Sequence, residues 1–177
     1  KAIKEGKTII LPSFSIGRYQ EVLYILKRMQ HDLLLPKSIE IWGDGYTSQE
    51  YTKRVLNNDL GIKKITQNFL PSNFHEIPRK ERNFYREKII ADNKPKIIIA
   101  PGGMGNYGPI QKYISSYISK KNALIHYLGY CSPESMASKL INAKYGQEVS
   151  YSGLIYTKRA EVKWTGEFSA HAKRDEL

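Results

Sequence analysis

The chain has 177 residues, of which 41% are hydrophobic, and these values suit one globular domain and exclude a disordered chain. No apolar run reaches the roughly 18 residues that a membrane-spanning helix needs, so we expect no membrane partner. Residues 1–7 are too charged for a signal peptide, and the single cysteine, Cys131, excludes an internal disulfide. We therefore expect a cytoplasmic location.

The charge is strongly basic, with 28 lysines and arginines against 17 aspartates and glutamates, a net charge of +11. Such an excess favours polyanionic partners, because binding to them releases counterions. A solvated basic surface explains the charge equally well. The 13 tyrosines are able to stack on bases, although we expect most of them to pack in the core.

Short apolar runs rich in β-branched residues predict strands that are buried on both faces. In chain order these strands are Thr8–Leu11, Ser38–Trp42, Lys96–Ala100 and Ala123–Leu128. Helical patterns fall between and after them, at Ile16–Gln30, Thr47–Asn57, Pro78–Asp92, Pro109–Lys120 and Pro133–Lys144. This alternation predicts an α/β fold, a parallel Rossmann-like sheet with helices on both faces.

Three further local features carry predictions. Thr47 and Glu50 have the spacing of a capping box at the start of the second helix. Residues Gln147–Tyr151 and Leu154–Trp164 flank a Ser-Gly turn and predict a C-terminal β-hairpin. The stretch Gly61–Ile77 lacks periodicity and is predicted to be an irregular surface segment.

Turn-forming residues follow each predicted strand, in the segments 12–18, 43–46, 101–109 and 129–135. Because parallel strands end at the same sheet edge, these loops should meet where α/β folds bind ligands. Glycines and helix N-termini there favour a phosphate group, with Ser13, Ser15 and Arg18 as hydrogen-bond donors. The alternative is that the glycines only form turns.

Other chemistries find less support. The GGMGNYG segment at 102–108 is neither a dinucleotide fingerprint nor a P-loop, so a nucleotide cofactor is disfavoured. Cys131 and Ser135 have no histidine placed by sequence to activate them, and Cys131 is predicted to be a small buried residue. His126 is predicted to be a core histidine, and Asp44 is expected to bond to the neighbouring turn.

Four segments resemble the β-CASP nucleases, the nucleic-acid-processing members of the metallo-β-lactamase superfamily. They are IILPSFSIGRYQEVLYIL (9–26), IIIAPGGMGNYGPIQKYI (97–114), GYCSPESMASKLI (129–141) and FSAHAKRDEL (168–177). The combination is most similar to the branch that contains the messenger RNA 3′-end-processing endonuclease and its archaeal and bacterial relatives. It is less similar to the RNase J branch.

The resemblance implies an RNA-binding cap domain over residues 1–145. Residues 146–177 would then form the hairpin and the start of a return segment into a metallo-β-lactamase domain that lies outside this chain. In the family, single-stranded RNA passes between the two domains, and two zinc ions held by an H-x-H-x-D-H motif activate the attacking hydroxide. That motif is not in this sequence, and neither is an initiator methionine. We therefore expect a fragment that holds no zinc and is inactive alone, with a homodimer possible.

The resemblance also assigns residues. His171 matches the family histidine that contacts the scissile phosphate and protonates the leaving group, which makes it the predicted catalytic residue. Loops and resemblance together give the predicted phosphate- or nucleic-acid-binding set: Ser13, Ser15, Gly17, Arg18, Gly102, Gly103, Met104, Gly108, Tyr130 and Ser169.

Departures from the family pattern leave alternatives open. Pro101 and Gly102 stand where two serines are usual, GYCSPES replaces the usual fourth loop, and Lys173 replaces an aspartate two residues after His171. The alternatives to a ribonuclease are a DNA-acting relative, a non-catalytic paralogue that serves as a scaffold in an RNA-processing complex, and an unrelated phosphate-binding domain. Endonuclease and exonuclease action are equally compatible with the sequence.

Overall fold

The computed structural model describes residues 1–57 and 69–166, which form one α/β domain and a small hairpin. The strands are β1 (Thr8–Ser13), β2 (Ile41–Gly43), β3 (Phe74–Glu76), β4 (Ile97–Pro101), β5 (Ala123–Leu128), β6 (Glu148–Tyr151), β7 (Leu154–Thr157) and β8 (Glu161–Thr165). The helices are α1 (Arg18–His31), α2 (Tyr46–Leu56), α3 (Arg82–Ala91), α4 (Ile110–Tyr117) and α5 (Met136–Asn142), and a 3₁₀ turn spans Arg79–Glu81.

Six of these strands form one parallel sheet in the order β3-β2-β4-β1-β5-β8, and β6 pairs with β7 in a separate antiparallel hairpin. The predicted α/β class with a parallel sheet is therefore confirmed. The longest described helix, α1, has 14 residues. A membrane-crossing helix, which needs about 20 residues, is not found in the described part of the chain.

The isoleucine run of β4 shows why the strands are continuously apolar. Ile97 and Ile99 pack with α1 on one face of the sheet, whereas Ile98 and Ala100 pack with α4 on the other. All four side chains are at most 2% exposed. A fully buried isoleucine contributes about 1.5–3 kcal/mol relative to an exposed one, so both helical layers are held by the same short strand. Helices on both faces were expected and are confirmed.

One strand, β3, was not predicted, and another, β8, was assigned to the wrong sheet. β3 lies inside the stretch 61–77, so the expectation of an irregular segment is wrong for its last residues, while residues 58–68 lie outside the described part. Its Phe-His-Glu sequence has no apolar alternation, but Phe74 and Glu76 pair with Ile41 and Gly43 of β2 at the sheet edge. Pairing with β2 and the packing of Phe74 against the core hold this segment extended.

β8 corrects the predicted hairpin. The turn is where it was expected, but its second strand ends at Thr157. The amides of Arg159 and Ala160 then donate to the carbonyl of Ile118 at the end of α4, each at 2.9 Å. This contact diverts the chain, and Leu124–Leu128 of β5 pair in parallel with β8. β8 therefore follows residue 145 in sequence but belongs to the main sheet.

The start of α2 differs from the predicted capping box. α2 begins at Tyr46, after Gly45, and no side chain caps it. Glu50 instead binds Lys53 at 2.9 Å on the exposed face, so the predicted capping box is wrong. α5 does have a side-chain cap, since Ser135 Oγ accepts from the Ser138 amide at 3.2 Å.

Candidate nucleic-acid interface

The loops that follow β1, β2, β4 and β5 lie at one edge of the sheet, because all four strands are parallel. The register places Ser13 opposite Pro101, so the loops after β1 and β4 begin at the same level. α1, α2, α4 and α5 all start from this edge. The expected meeting of the four loops at the carboxyl ends of the strands is confirmed.

An open cleft of about 330 Å³ lies between three of these loops, and we call it the edge cleft. It is lined by Phe14, Ser15, Gly45, Tyr46, Thr47, Pro101, Gly102, Gly103, Met104, Asn106, Tyr107, Gly108 and Pro109. From the predicted binding set, Ser15, Gly102, Gly103, Met104 and Gly108 therefore come together in one place.

Gly102 sets the path of the β4–α4 loop. Its amide donates to the Ser13 carbonyl at 3.0 Å, which continues the β1–β4 pairing by one residue. Its φ of 119° lies in the left-handed region that favours glycine. A Cβ at this position would overlap the Tyr107 carbonyl oxygen and the Ile110 side chain. The glycine is therefore required where the loop folds back over itself.

The rest of this loop is held from the other side of the domain. The Met104 carbonyl accepts from the Ala137 amide at 2.9 Å, at the start of α5. The Gly105 carbonyl accepts from the Tyr151 hydroxyl at 2.7 Å, from the hairpin. Together with Ser13 of β1, these partners belong to three separate elements, so protein contacts alone hold the β4–α4 loop in shape.

Asp44 is buried beside the edge cleft, with 3% of its surface exposed. Its carboxylate accepts from the Gly45 amide at 2.7 Å, from Arg86 Nε at 2.6 Å and from the Tyr113 hydroxyl at 3.0 Å. Burial, together with the charge of Asp44, raises the pKa of Tyr113. We call these four residues the Asp44 hub. The expected bond from Asp44 to the neighbouring turn is present, and the carboxylate is not offered to a ligand.

Other predicted binding residues lie around the edge cleft but do not line it. Ser13 is 1% exposed, so its hydroxyl does not reach the cleft surface. Gly17 precedes α1 with a φ of 79°. Arg18 Nη1 binds Glu21 Oε2 at 2.7 Å within the first turn of α1, and Tyr130 is half exposed after β5. Their contacts with phosphate stay predictions.

The predicted catalytic residue, His171, and Ser169 lie outside the described residues, so their roles also stay predictions. The described ranges contain no group of three His, Cys, Asp or Glu side chains that could hold a metal ion. These residues therefore do not fit the implied zinc site, and we assign no step of hydrolysis to a metal held by them.

Two nucleophile candidates have structural roles. Burial raises the pKa of the Cys131 thiol, which disfavours the reactive thiolate at neutral pH. The Ser135 hydroxyl donates to the Ser132 carbonyl at 2.6 Å while it caps α5. Cys131 was expected to be a small buried residue, and it is partly buried.

Sequence reasoning did not single out the aromatic walls of the edge cleft. Phe14, Tyr46 and Tyr107 are 46%, 48% and 74% exposed. The guanidinium of Arg79 lies over the Tyr46 ring, 4.3 Å from its centroid. Their position was the only local indication, since Phe14 lies three residues and Tyr46 four residues after the end of a predicted strand.

Comparison with known proteins assigns the chain to a family. The family model of the Beta-Casp domain matches residues 19–140, well over half of the chain. "Transcription termination factor FttA" of Methanosarcina mazei is 27% identical over 99% of this chain and 29% of its own length. "RNase J-like protein" of Methanocaldococcus jannaschii is 28% identical over 100% of the chain and 40% of its own length. "RNase aCSPSF2" of Saccharolobus solfataricus is 27% identical over 100% of the chain and 32% of its own length.

The chain thus spans well under half of the length of these relatives. The matched residues 19–140 include the loops after β2, β4 and β5, and therefore most of the edge cleft. The resemblance stated from the four sequence segments is confirmed, and the chain belongs to the Beta-Casp domain family.

Proposed function

We propose that this chain is the RNA-binding cap domain of a zinc-dependent ribonuclease, and that it acts with a metallo-β-lactamase domain of the same protein. The observation that carries the proposal is the edge cleft, which is formed by three strand-end loops and lies at the edge of a Beta-Casp sheet where α/β folds bind ligands. Two of the relatives carry the word RNase in their names, which supports RNA as the substrate class.

Charge supports a nucleic-acid ligand. The net charge of +11 favours a polyanion, and the exposed cations Arg79, Lys80 and Arg82 follow β3 at the same sheet edge as the edge cleft. In this proposal the described residues bind and orient the RNA strand. The zinc ions and their ligands come from the metallo-β-lactamase domain.

The test is cleavage by the full-length protein. A labelled single-stranded RNA and a DNA of the same sequence are incubated with the zinc-loaded enzyme, and the products are separated by size. Cleavage of RNA alone supports the proposal, whereas preferential cleavage of DNA would favour a DNA-acting relative. Tight RNA binding with no cleavage of either strand would favour a non-catalytic scaffold.

His171 gives the sharpest single test. An imidazole titrates near pH 6.5 and can donate a proton near neutrality, and general acid catalysis contributes a factor of about 10²–10⁴. We expect His171→Ala in the full-length protein to lower turnover by that factor, with unchanged zinc content and melting temperature. Loss of a zinc ion would make His171 a ligand, and wild-type turnover would remove it from catalysis.

A further inference from the structure

The lining of the edge cleft does not suit a phosphate group as its main occupant. Phe14, Tyr46, Met104 and Tyr107 form much of its wall, together with two prolines. None of the lining residues carries a charge, so a phosphate inside would lose its hydration without gaining a cation. The cleft therefore selects a flat, mostly apolar group that has polar edges.

The aromatic rings at this cleft are exposed at a free-energy cost. Leaving apolar surface in water forfeits about 25 cal/mol for each Å² that burial would have removed. Three aromatic side chains, Phe14, Tyr46 and Tyr107, keep between 46% and 74% of their surface accessible around one cavity. A cluster of this kind is typical of a binding site rather than of scattered surface residues.

Arg79 orients the central ring. Its guanidinium lies 4.3 Å from the Tyr46 centroid, yet almost half of Tyr46 remains exposed toward the cleft and solvent. In the described ranges, no carboxylate lies within ion-pair distance of Arg79. The cation therefore stands at the mouth of an apolar cleft, where it can attract the backbone of a strand whose base enters the cleft.

We propose that the edge cleft is a stacking subsite for one unpaired nucleobase of the RNA strand. The base lies against the free side of Tyr46, with Phe14 and Tyr107 as flanking walls, while Arg79 contacts the adjoining phosphate. This inference rests on the proposed function and adds to it the group of the RNA that the cleft holds, an unpaired base, because a base in a duplex is already stacked and paired. The volume of about 330 Å³ is at the small end of ligand cavities, which suits one base rather than a duplex.

The ring of Phe14 depends on the glycine beneath it. A Cβ at Gly103 would lie 3.1 Å from two ring atoms of Phe14, which is closer than ordinary contact. The absence of a side chain at residue 103 therefore lets the Phe14 ring lie close against the loop and form one wall of the subsite. This predicted binding residue acts through Phe14 in our proposal, and not through a phosphate.

The experiment measures binding of short oligouridylate RNA to the full-length protein. The strand is phosphorothioate-linked so that it resists hydrolysis, and a single 2-aminopurine is moved along it. Stacking on a tyrosine quenches 2-aminopurine, so we expect quenching to peak at one position. A matched strand that is abasic at that position should bind about 5- to 150-fold more weakly, which is the effect of losing one stacked base.

Variants connect that effect to the cleft. Tyr46→Ala should weaken binding of the complete strand by the same factor, and Tyr46→Phe should bind within about twofold of wild type because the ring is retained. Tyr107→Ala is a second variant that leaves folding intact, since Tyr107 is 74% exposed, and it should weaken binding several-fold. Tyr24→Ala is the matched control, because this exposed tyrosine of α1 does not line the cleft.

Equal binding of the abasic and complete strands, or equal affinity of the Tyr46→Ala and Tyr24→Ala proteins, would overturn the base subsite. If those proteins still cleaved RNA, the proposed function would stand without it. If the wild-type protein neither bound nor cleaved RNA, both proposals would fail, and the aromatic cluster would be assigned to a protein partner.

Discussion

The Asp44 hub and the edge cleft share Gly45 but differ in how their groups are partnered. In the hub, every carboxylate oxygen of Asp44 is bonded and the residue is 3% exposed. In the cleft, three aromatic rings are exposed and no charged side chain lines the wall. A buried polar group whose hydrogen bonds are all made stabilises the fold, whereas a cluster of exposed aromatic rings, which loses the free energy of burial, indicates a ligand site. Variants in the two regions should therefore affect different measurements.

Removing the centre of the hub should have the largest effect on stability. Asp44→Ala leaves the mostly buried Arg86 guanidinium without its carboxylate, and breaking a buried ion pair in this way costs about 3–5 kcal/mol. We expect urea denaturation to show a loss of this size in the free energy of unfolding. The control is Glu50→Ala, which breaks an exposed ion pair with Lys53 and should leave the free energy of unfolding almost unchanged. Similar losses for the two variants would contradict the contrast.

Two adjacent glycines show the same contrast, because Gly102 is needed for stability and Gly103 for the shape of the edge cleft. Gly102→Ala forces a left-handed conformation on alanine and overlaps the Tyr107 backbone, so we expect a loss of about 2–4 kcal/mol in the free energy of unfolding. Gly103→Ala meets only the exposed Phe14 ring, so stability should fall by less than about 1 kcal/mol. RNA binding should nevertheless weaken in Gly103→Ala, because the Phe14 wall moves. A greater loss of stability in Gly103→Ala would refute this assignment.

The salt dependence of RNA binding compares two arginines. Each phosphate neutralised contributes about −0.7 to the slope of log K against log salt for a single strand. Arg79→Ala should make the slope shallower by about that amount. If Arg18 contacts phosphate despite its bond to Glu21, Arg18→Ala should reduce the slope by somewhat under one unit as well. An unchanged slope in a salt titration would leave either arginine with a structural role.

A half-buried histidine gives the smallest expected effect. Burial, and next the charge of Lys163, lowers the pKa of His126 below 6.5. Below pH 6.5 the unfolded chain therefore binds a proton that the folded chain does not, and stability falls as the pH decreases until the folded value is reached. The slope cannot exceed about 1.4 kcal/mol per pH unit for one proton. In His126→Gln the denaturation midpoint should change less with pH between pH 6.5 and 5 than in the wild type. The same pH dependence in both proteins would contradict the role given to His126.

The strongly apolar strands and their loops could be predicted from the sequence because both signals are local. The continuous apolar runs in β1, β4 and β5 indicate by themselves that these strands are buried on both faces, and turn residues follow each of them. β3 could not be found, since Phe-His-Glu becomes a strand only by pairing with β2. β8 was assigned to the hairpin because the deciding contact, with the Ile118 carbonyl, comes from a distant helix.

The candidate site was predicted in the same uneven way. The loop glycines were found because positive φ values and tight turns restrict the residue type. The aromatic walls were not found, since nothing local separates Tyr46 from the buried Tyr113, and only the fold exposes one and covers the other. Ser13 shows what the sequence does not reveal, because a serine at a strand end is a candidate donor in sequence, and only the fold shows that it is buried.

The place of β8 also affects how the domain can be divided for experiments. β5 has β1 on one side and β8 on the other, so a protein cut at residue 145 would lose β8 and turn β5 into an edge strand. Ala-Leu-Ile-His-Tyr-Leu would then offer a row of unpaired backbone groups on an apolar strand, which is a template for aggregation. Soluble, monomeric protein should therefore require residues through Thr165, and a shorter version should precipitate or pair edge to edge.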